Sequence, residues 1–398
     1  MHTPSVRDSF EFPKDLNPGR IALMVGVAGL VVSAIGFFVQ KEQFFFSYLT
    51  AFVFWVTIGL GGLFFSMLHH LVGATWSVVI RRISESLMMV LPFMLIFFLP
   101  IVLGMHDLYH WTHEEYVAQD KLLSQKTGYL NQPFFYIRTV GYFVIWFFLG
   151  RILFKKSVQQ DETGDKKIAE RMRQISAPGM VVFAVTLTFA AFDWLMSLDP
   201  HWYSTIFGVY IFTGSFLGML AVTTLVALGL RKKGVLENTI TIEHYHDLGK
   251  LLFAFTVFWA YIAFSQYFLI WYGNIPEEVA FYLHRWHGSW VGVSLLIGFG
   301  HFAVPFLIMM TRAAKRNLKL LKIMSFWYLF IHYVDLHWIV LPTLHKHGVS
   351  ISGLWLDLAT MVGIGGIFIW LFWRRFAAQA MVPANDPKFE DSIRFINA

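Results

Sequence analysis

The chain has 398 residues, 57% hydrophobic, 18% aromatic and only 14% charged, against about 25% charged in an ordinary soluble domain. Phe alone occurs 42 times and cysteine not at all. This excludes a water-soluble enzyme, a disordered chain and any site in this chain that needs a thiolate: Cys-ligated iron–sulfur clusters, covalent c-type haem, disulfides.

Residues Met1 to Arg20 form a polar tail containing Pro4, Pro13 and Pro18. No apolar run follows a basic start as in a signal peptide, so the first apolar run, from Ile21, is expected to be a retained helix. Ten segments are long and apolar enough to span a bilayer, which takes about 20 residues. They are Ile21–Val39, Tyr48–Val78, Leu87–Gly104, Phe134–Phe154, Pro178–Leu198, Ser204–Leu230, Leu251–Tyr272, Trp290–Met310, Leu320–Leu341 and Leu354–Trp373. Each must be helical, because an unpaired peptide group in lipid costs several kcal/mol. The expected layout is an all-α polytopic membrane protein: a tail over residues 1–20, a transmembrane domain over 21–374 and a second tail over 375–398.

Lys and Arg set the orientation. Of 31 basic residues, 24 fall in the two tails and in the loops after even-numbered segments with the helix ends beside them, 5 in the loops after odd-numbered ones, and the other two, Arg138 and Lys250, at helix ends. The positive-inside rule then puts both termini in the cytoplasm. It also explains the net charge of +6 without nucleic acid; the basic run from Arg151 to Arg173 reads as a cytoplasmic loop near anionic lipid. The opposite face is rich in histidine: His106, His110, His113, His201, His284, His287, His345 and His347, eight of the 16. With neighbours such as Trp202 and Tyr203 they suggest a docking surface, for which His106, His110, His201, Trp202 and Tyr203 are the candidates. His106, His110 and His113 have a helical spacing beside Glu114 that could equally form a metal comb, although no metal site is assigned.

An ionisable side chain at the bilayer centre costs roughly 2.5–3.5 kcal/mol on insertion scales, so each needs a reason. His69 and His70 fall in the inner half of the second segment, and Glu85, beside Arg81 and Arg82, just before the third. Asp193 lies about 7 Å inside the outer end of the fifth segment and Asp335 about 9 Å inside that of the ninth, at 1.5 Å per residue. Asp357 sits about one turn inside the tenth. His301 and His332 fall near the midplane, with His337 further out. His332 and Asp335 are three residues apart and share a helix face. Chains of Asp, Glu and His are how membranes carry protons, so these nine residues form the candidate proton path. The alternatives are structural: an ion pair for Glu85, helix-end or interfacial partners for Asp193 and Asp357, buried hydrogen bonding for the histidines. His301 and His332 could also ligate a b-type haem, and ten helices could build a secondary transporter.

Two stretches carry a weak internal repeat: Phe46-Ser47-Tyr48-Leu49-Thr50 with Gly59, Gly61 and Gly62, and Tyr203-Ser204-Thr205-Ile206-Phe207 with Gly214 and Gly218. Both start from the same side, which suits parallel bundles of segments two to five and six to nine. Close helix packing on small residues accounts for them equally well.

The run Phe192-Asp193-Trp194-Leu195-Met196-Ser197-Leu198-Asp199-Pro200-His201-Trp202-Tyr203-Ser204-Thr205 is one part of a longer signature. The other is His246-Asp247-Leu248-Gly249-Lys250-Leu251-Leu252-Phe253-Ala254-Phe255 with Tyr261, Ser265-Gln266-Tyr267 and Trp271-Tyr272-Gly273-Asn274-Ile275-Pro276-Glu277-Glu278. Together they resemble the ActF-type subunits of bacterial alternative complex III, members of the NrfD-like membrane subunits of polysulfide and nitrite reductases. The resemblance implies two four-helix bundles plus a peripheral helix pair in a bacterial inner membrane. It implies a role within a quinol:cytochrome c oxidoreductase, where the established quinol site belongs to a sister NrfD-like subunit. Further implied partners are multihaem and monohaem cytochromes c and an iron–sulfur subunit, which hold the haem and clusters; no cofactor is expected in this chain. Whether quinol touches this chain is left open, and no family quinol ligand maps onto a numbered residue here.

Overall fold

A computed structural model describes residues 10–13 and 15–397. Residues 1–9, Lys14 and Ala398, all in the two tails, lie outside the described residues. Every regular element among those described is helical. Ten helices are long and apolar enough to cross a membrane. They are α1 (Pro18–Val39), α2 (Lys41–Val72), α3 (Val78–Leu103), α4 (Gln132–Thr163), α5 (Lys166–Leu198), α6 (Phe207–Lys232), α7 (Ile242–Gly273), α8 (Trp290–Met309), α9 (Leu318–Thr343) and α10 (Ile351–Phe376).

The expected spans are all present, with shifted ends. The second helix starts at Lys41, not Tyr48, because its polar first turn is held by the protein: Gln43 is buried, and Lys41 pairs with Asp107 at 2.9 Å. It stops at Val72, where Gly73 takes the left-handed conformation (φ 60) that closes a helix end. The third helix therefore begins at Val78 and places Glu85 two turns inside it. It is broken into Val78–Met88, Leu91–Phe97 and Leu99–Leu103. Pro92 and Pro100 start the later pieces, where a missing N–H breaks no ladder bond.

Helices α2 to α5 form a closed ring of neighbours, and α6 to α9 form another. The rings meet where α2 packs on α6 and α9, and α5 on α6. Small residues make that seam close: a Cβ on Gly61 would stand 2.8 Å from the carbonyl of Ser215. The peripheral pair is α1 with α10, lying against α2. Here backbone touches backbone, since a Cβ on Gly29 would fall 2.6 Å from the Gly363 nitrogen. The outward side of α1 exposes Ile21, Met24, Val31, Ile35 and Phe38, the pattern of a lipid-facing helix.

One end of the bundle carries the basic residues, the other the histidine-rich loops. At the basic end the C-terminal segment is no free tail. Asp386 accepts from Arg81 at 2.6 Å, the Ser392 carbonyl pairs with His244 Nε2 at 3.0 Å, and Asn397 donates to the Glu243 carbonyl at 3.1 Å. The segment thus ties the first ring to α7.

Candidate functional site

Each ring holds one fully buried aspartate on its last helix, and the two are solvated in opposite ways. In the first ring, Asp193 on α5 takes a fork from Arg138 on α4, Nε to Oδ2 at 2.8 Å and Nη2 to Oδ1 at 2.9 Å. The Tyr142 hydroxyl donates to Oδ2 at 2.7 Å. Arg138 is itself sandwiched over the rings of Tyr129 and Phe134. A buried carboxylate with a bidentate guanidinium is neutralised in place. The sequence marked Asp193, whereas Arg138 looked like a helix-end residue; its place in an apolar span at the depth of Asp193 was the available signal.

In the second ring, Asp335 on α9 has no cation bonded to it among the described residues. The Tyr210 hydroxyl of α6 donates to Oδ1 and the Trp259 indole of α7 to Oδ2 at 3.2 Å. His301 Nδ1 stands 4.0 Å from Oδ2, its ring stacked on Trp259 at 3.7 Å. Neither nitrogen of His301 has a hydrogen-bond partner among the described residues. His301 reaches this place from a π-helical turn over Gly298–Ala303 in α8, a local widening frequently found at functional sites. Tyr210 and Trp259, which the sequence did not single out, also form the floor of a cavity of about 500 Å³ between α7 and α8. Its walls are aromatic and apolar, including Tyr261, Phe264, Tyr267, Tyr282 and Phe302. Tyr261 and Phe264 are exposed on the outer surface of the ring, so the cavity opens sideways toward lipid.

His332 does not join this group, although it shares a helix face with Asp335. Its Nε2 pairs with the Thr57 hydroxyl of α2 at 3.0 Å and its ring tilts over Phe54. A Cβ on Gly214 would stand 2.8 Å from its Nδ1, so α6 closes over the imidazole. A haem plane has no room on that side of His332.

Asp357 forms a third cluster. Ser47 donates to Oδ1 at 2.5 Å and Gln43 to the same oxygen at 3.4 Å. His337 Nε2 pairs with Oδ2 at 3.2 Å. The Gln43 carbonyl oxygen then meets His345 Nε2 at 2.5 Å. The result is a polar chain His337–Asp357–Gln43–His345 that climbs from the membrane domain into the histidine-rich loops. Gln43, Ser47 and His345 are additions to the sequence reading. A second chain, Ser204 to Gln266 at 2.9 Å and Gln266 to Tyr282 at 3.0 Å, ends on the wall of the aromatic cavity.

The remaining candidates sit near the basic end. Glu85 accepts from Arg81 at 3.1 Å, pairs with Arg82 at 3.0 Å and accepts from Ser157 at 3.0 Å. Arg82 also bonds Asp161. This is an ion-pair lattice tying α3 to α4 and the C-terminal segment, the structural alternative foreseen for Glu85. His69 Nδ1 pairs with its own helix at the Phe65 carbonyl, 2.7 Å away. The adjacent His70 keeps Nε2 without a hydrogen-bond partner among the described residues.

At the histidine-rich end, a cleft of about 840 Å³ is lined by His110, Asp120, Asp199, His201, His284 and Lys346, among others. His201 Nε2 meets Asp120 Oδ2 at 2.5 Å, and His106 Nδ1 meets His113 Nε2 at 2.8 Å. Burial holds His110, His284 and His345 below the ordinary histidine pKa. Trp202 departs from the docking expectation. It is 2% exposed, stacked on Phe281 at 4.0 Å, because the loop after α5 folds onto the 276–285 helix. A partner would meet His106, His110, His201 and Tyr203, all exposed, with Trp202 holding the loop from beneath. Arg285, on the same short helix, is buried with no carboxylate paired to it among the described residues. It donates to the carbonyls of Phe281, Trp338 and Ile339 at 2.7–2.9 Å and lies 3.4 Å over the Phe281 ring. It stands between the cleft, which it lines, and the cavity wall at Tyr282 and Trp338.

No protein-family model matches the chain, and no curated protein matches it.

Proposed function

We propose that the chain is the integral membrane subunit of a bacterial quinol:cytochrome c oxidoreductase of the alternative complex III type, with both termini cytoplasmic, and that its second ring handles quinol protons. One observation carries this reading: Asp335 is fully buried, is bonded by neutral donors alone, and lies directly behind the floor of a lipid-facing aromatic cavity. A cavity of this size and lining suits a small apolar ring with a few fixed polar contacts. A carboxyl group held by neutral donors can gain and lose a proton at modest cost, whereas Asp193 is paired with the Arg138 guanidinium.

Oxidation of a quinol to a quinone releases two protons and two electrons. In this account a quinol hydroxyl gives its proton to the Tyr210 oxygen as Tyr210 passes its own to Asp335. That transfer leaves Asp335 neutral, still bonded by the Trp259 indole; the charge left on the quinol oxygen is held by the re-protonated Tyr210 hydroxyl, and the Arg285 guanidinium lowers its cost from the loop side. The protons leave one at a time toward the histidine-rich face. The electrons pass to haem or iron–sulfur groups of partner chains; with no cysteine, this chain can neither hold a thiolate-bound cluster nor attach a c-type haem. The histidine-rich cleft is the docking face for those partners, and a sister NrfD-like subunit would share the membrane.

The test is purification of the native assembly from its own membranes in mild detergent. Co-purifying c-type cytochromes and an iron–sulfur chain, reducible by quinol, are the expected result. A lone, colourless oligomer would overturn the reading and favour a transporter.

A further inference from the structure

A second opening in the membrane domain lies far from the Asp335 cavity, between α4 and α5 and toward the basic end. It is a slot of about 500 Å³ lined by Ile145, Phe148 and Ile152 from α4 and by Pro178, Gly179 and Val182 from α5, among others. Along α4 it runs from Val144 to Ile152, about 12 Å at 1.5 Å per residue. Phe148, Ile152 and Val182 are exposed on the bundle surface, so the slot faces lipid. Its floor exists because position 179 has no side chain: a Cβ there would come within 3.1–3.2 Å of Met67 and Leu149.

The slot changes character at its basic end. Lys155 and Lys156 follow Ile152 by three and four residues, and Arg171 precedes Gln174 and Ile175 by three and four. Residues at these spacings share a helix face, so the three cations crown the slot from both walls. None of the three has an ion-pair partner among the described residues, while the nearby carboxylates are committed elsewhere. Asp161 bonds Arg82, Glu170 faces Arg173, and Asp165 caps the start of α5. Glu162 lies about two turns beyond Lys155. Just inside the cations the slot offers polar groups. Gln174 lines it with an exposed carboxamide, and Pro178 has no N–H to donate to the Gln174 carbonyl.

An apolar slot, then amide and carbonyl groups, then uncompensated cations, in that order along the membrane normal, is the chemical profile of a phospholipid read from acyl chain to phosphate. We propose that this is a binding site for an anionic diacyl phospholipid. Lys155, Lys156 and Arg171 hold the phosphate, Gln174 donates to an ester carbonyl, and one acyl chain lies in the slot between α4 and α5. Charge complementarity selects the anionic headgroup, and the slot selects a lipid over a soluble phosphate. The site is independent of the quinol reading, since it lies in the other ring and touches none of the Asp335 group.

The experiment is native mass spectrometry of the delipidated full-length protein titrated with phosphatidylglycerol or with phosphatidylcholine of the same chains. A tightly bound phosphatidylglycerol is expected, with phosphatidylcholine at least about tenfold weaker, because each basic group near a surface adds to anionic-lipid binding. The triple variant Lys155→Gln, Lys156→Gln, Arg171→Gln should erase that preference. The same number of changes at Lys232, Lys233 and Lys319 should leave it intact. Val182→Trp, which fills the slot and keeps every charge, should also lose the tight lipid. Equal affinity for both lipids overturns the proposal, as does a control triple as damaging as the test triple. Full retention by Val182→Trp overturns it too, by reducing the site to surface charge.

Discussion

The contrast between Asp193 and Asp335 makes a prediction that separates structure from chemistry. In Asp193→Asn the Arg138 guanidinium keeps its buried place, 9% exposed, but loses its counter-charge. Removing one partner of a buried pair costs about 3–5 kcal/mol, because the other charge is stranded. In Asp335→Asn no cation is stranded. The asparagine oxygen can still accept from Trp259 and its amide can donate to the Tyr210 oxygen, so the cost is about 1 kcal/mol, that of one altered hydrogen bond. Thermal unfolding of the purified protein, followed by its own tryptophan fluorescence, should rank Asp193→Asn well below wild type and Asp335→Asn close to it. The double change Arg138→Met with Asp193→Leu should recover much of the loss, since both charges then leave together. Turnover with quinol should rank the other way. Asp335→Asn should lose at least about tenfold, equivalent to about 1.4 kcal/mol on the barrier. If Asp335→Asn unfolds as early as Asp193→Asn, Asp335 is a structural anion and the argument from its neutral donors fails.

Orientation follows from the basic residues: a reporter fused after Ala398 should be active only in the cytoplasm, and one inserted in the 105–131 loop only outside; reversal of either contradicts it. For docking, His201→Ala with Tyr203→Ala should loosen extrinsic redox partners at unchanged membrane insertion, scored by what remains bound after a salt wash. Unchanged composition would remove this loop from the interface. Gly29→Leu should displace α1 from α10, where a Cβ already meets backbone at 2.6 Å. Protease sensitivity of the α1–α2 connection should then rise while the α2–α9 rings stay folded. Acid should weaken the histidine-rich end. His110, His284 and His345 sit below the ordinary histidine pKa in the folded loops, so the unfolded loops bind more protons and stability falls as pH drops below about 6.5. The protection of those loops, as the hydrogen-exchange rate relative to the intrinsic rate at each pH, should fall between about pH 7.5 and 5.5; unchanged protection would refute the sign.

Ten spans and the asymmetry of charge were legible in the sequence because the bilayer imposes length and hydropathy on each helix separately. Helix ends were less so, since Gln43 and Gly73 act through tertiary contacts and a left-handed turn. The ionisable residues were also visible one by one, as costly exceptions in apolar text. Their grouping was not. Asp193, Asp335 and Asp357 lie at similar depths, yet helix rotation sends each to a different neighbourhood. His332 and Asp335 share a face broad enough for one to meet α2 and the other α6 and α7. The partners that decide each carboxylate's chemistry are Arg138, Tyr210, Trp259, Ser47 and Gln43. Arg138 apart, all are ordinary residues for a membrane helix until packing brings them to a charge. Trp202 shows the reverse: an aromatic in a loop reads as a surface anchor, and folding turned it inward.

The central claim is that protons released by quinol pass through Asp335. Vesicles holding the native assembly, with the histidine-rich face on a known side, allow protons released and electrons transferred to be counted per quinol oxidised. The account predicts that Asp335→Asn and Tyr210→Phe each lower turnover by at least about tenfold, in an assembly of normal composition whose haems are still reduced by dithionite. Unchanged turnover and unchanged proton release in both variants would contradict it and leave Asp335 as a packed, hydrogen-bonded residue.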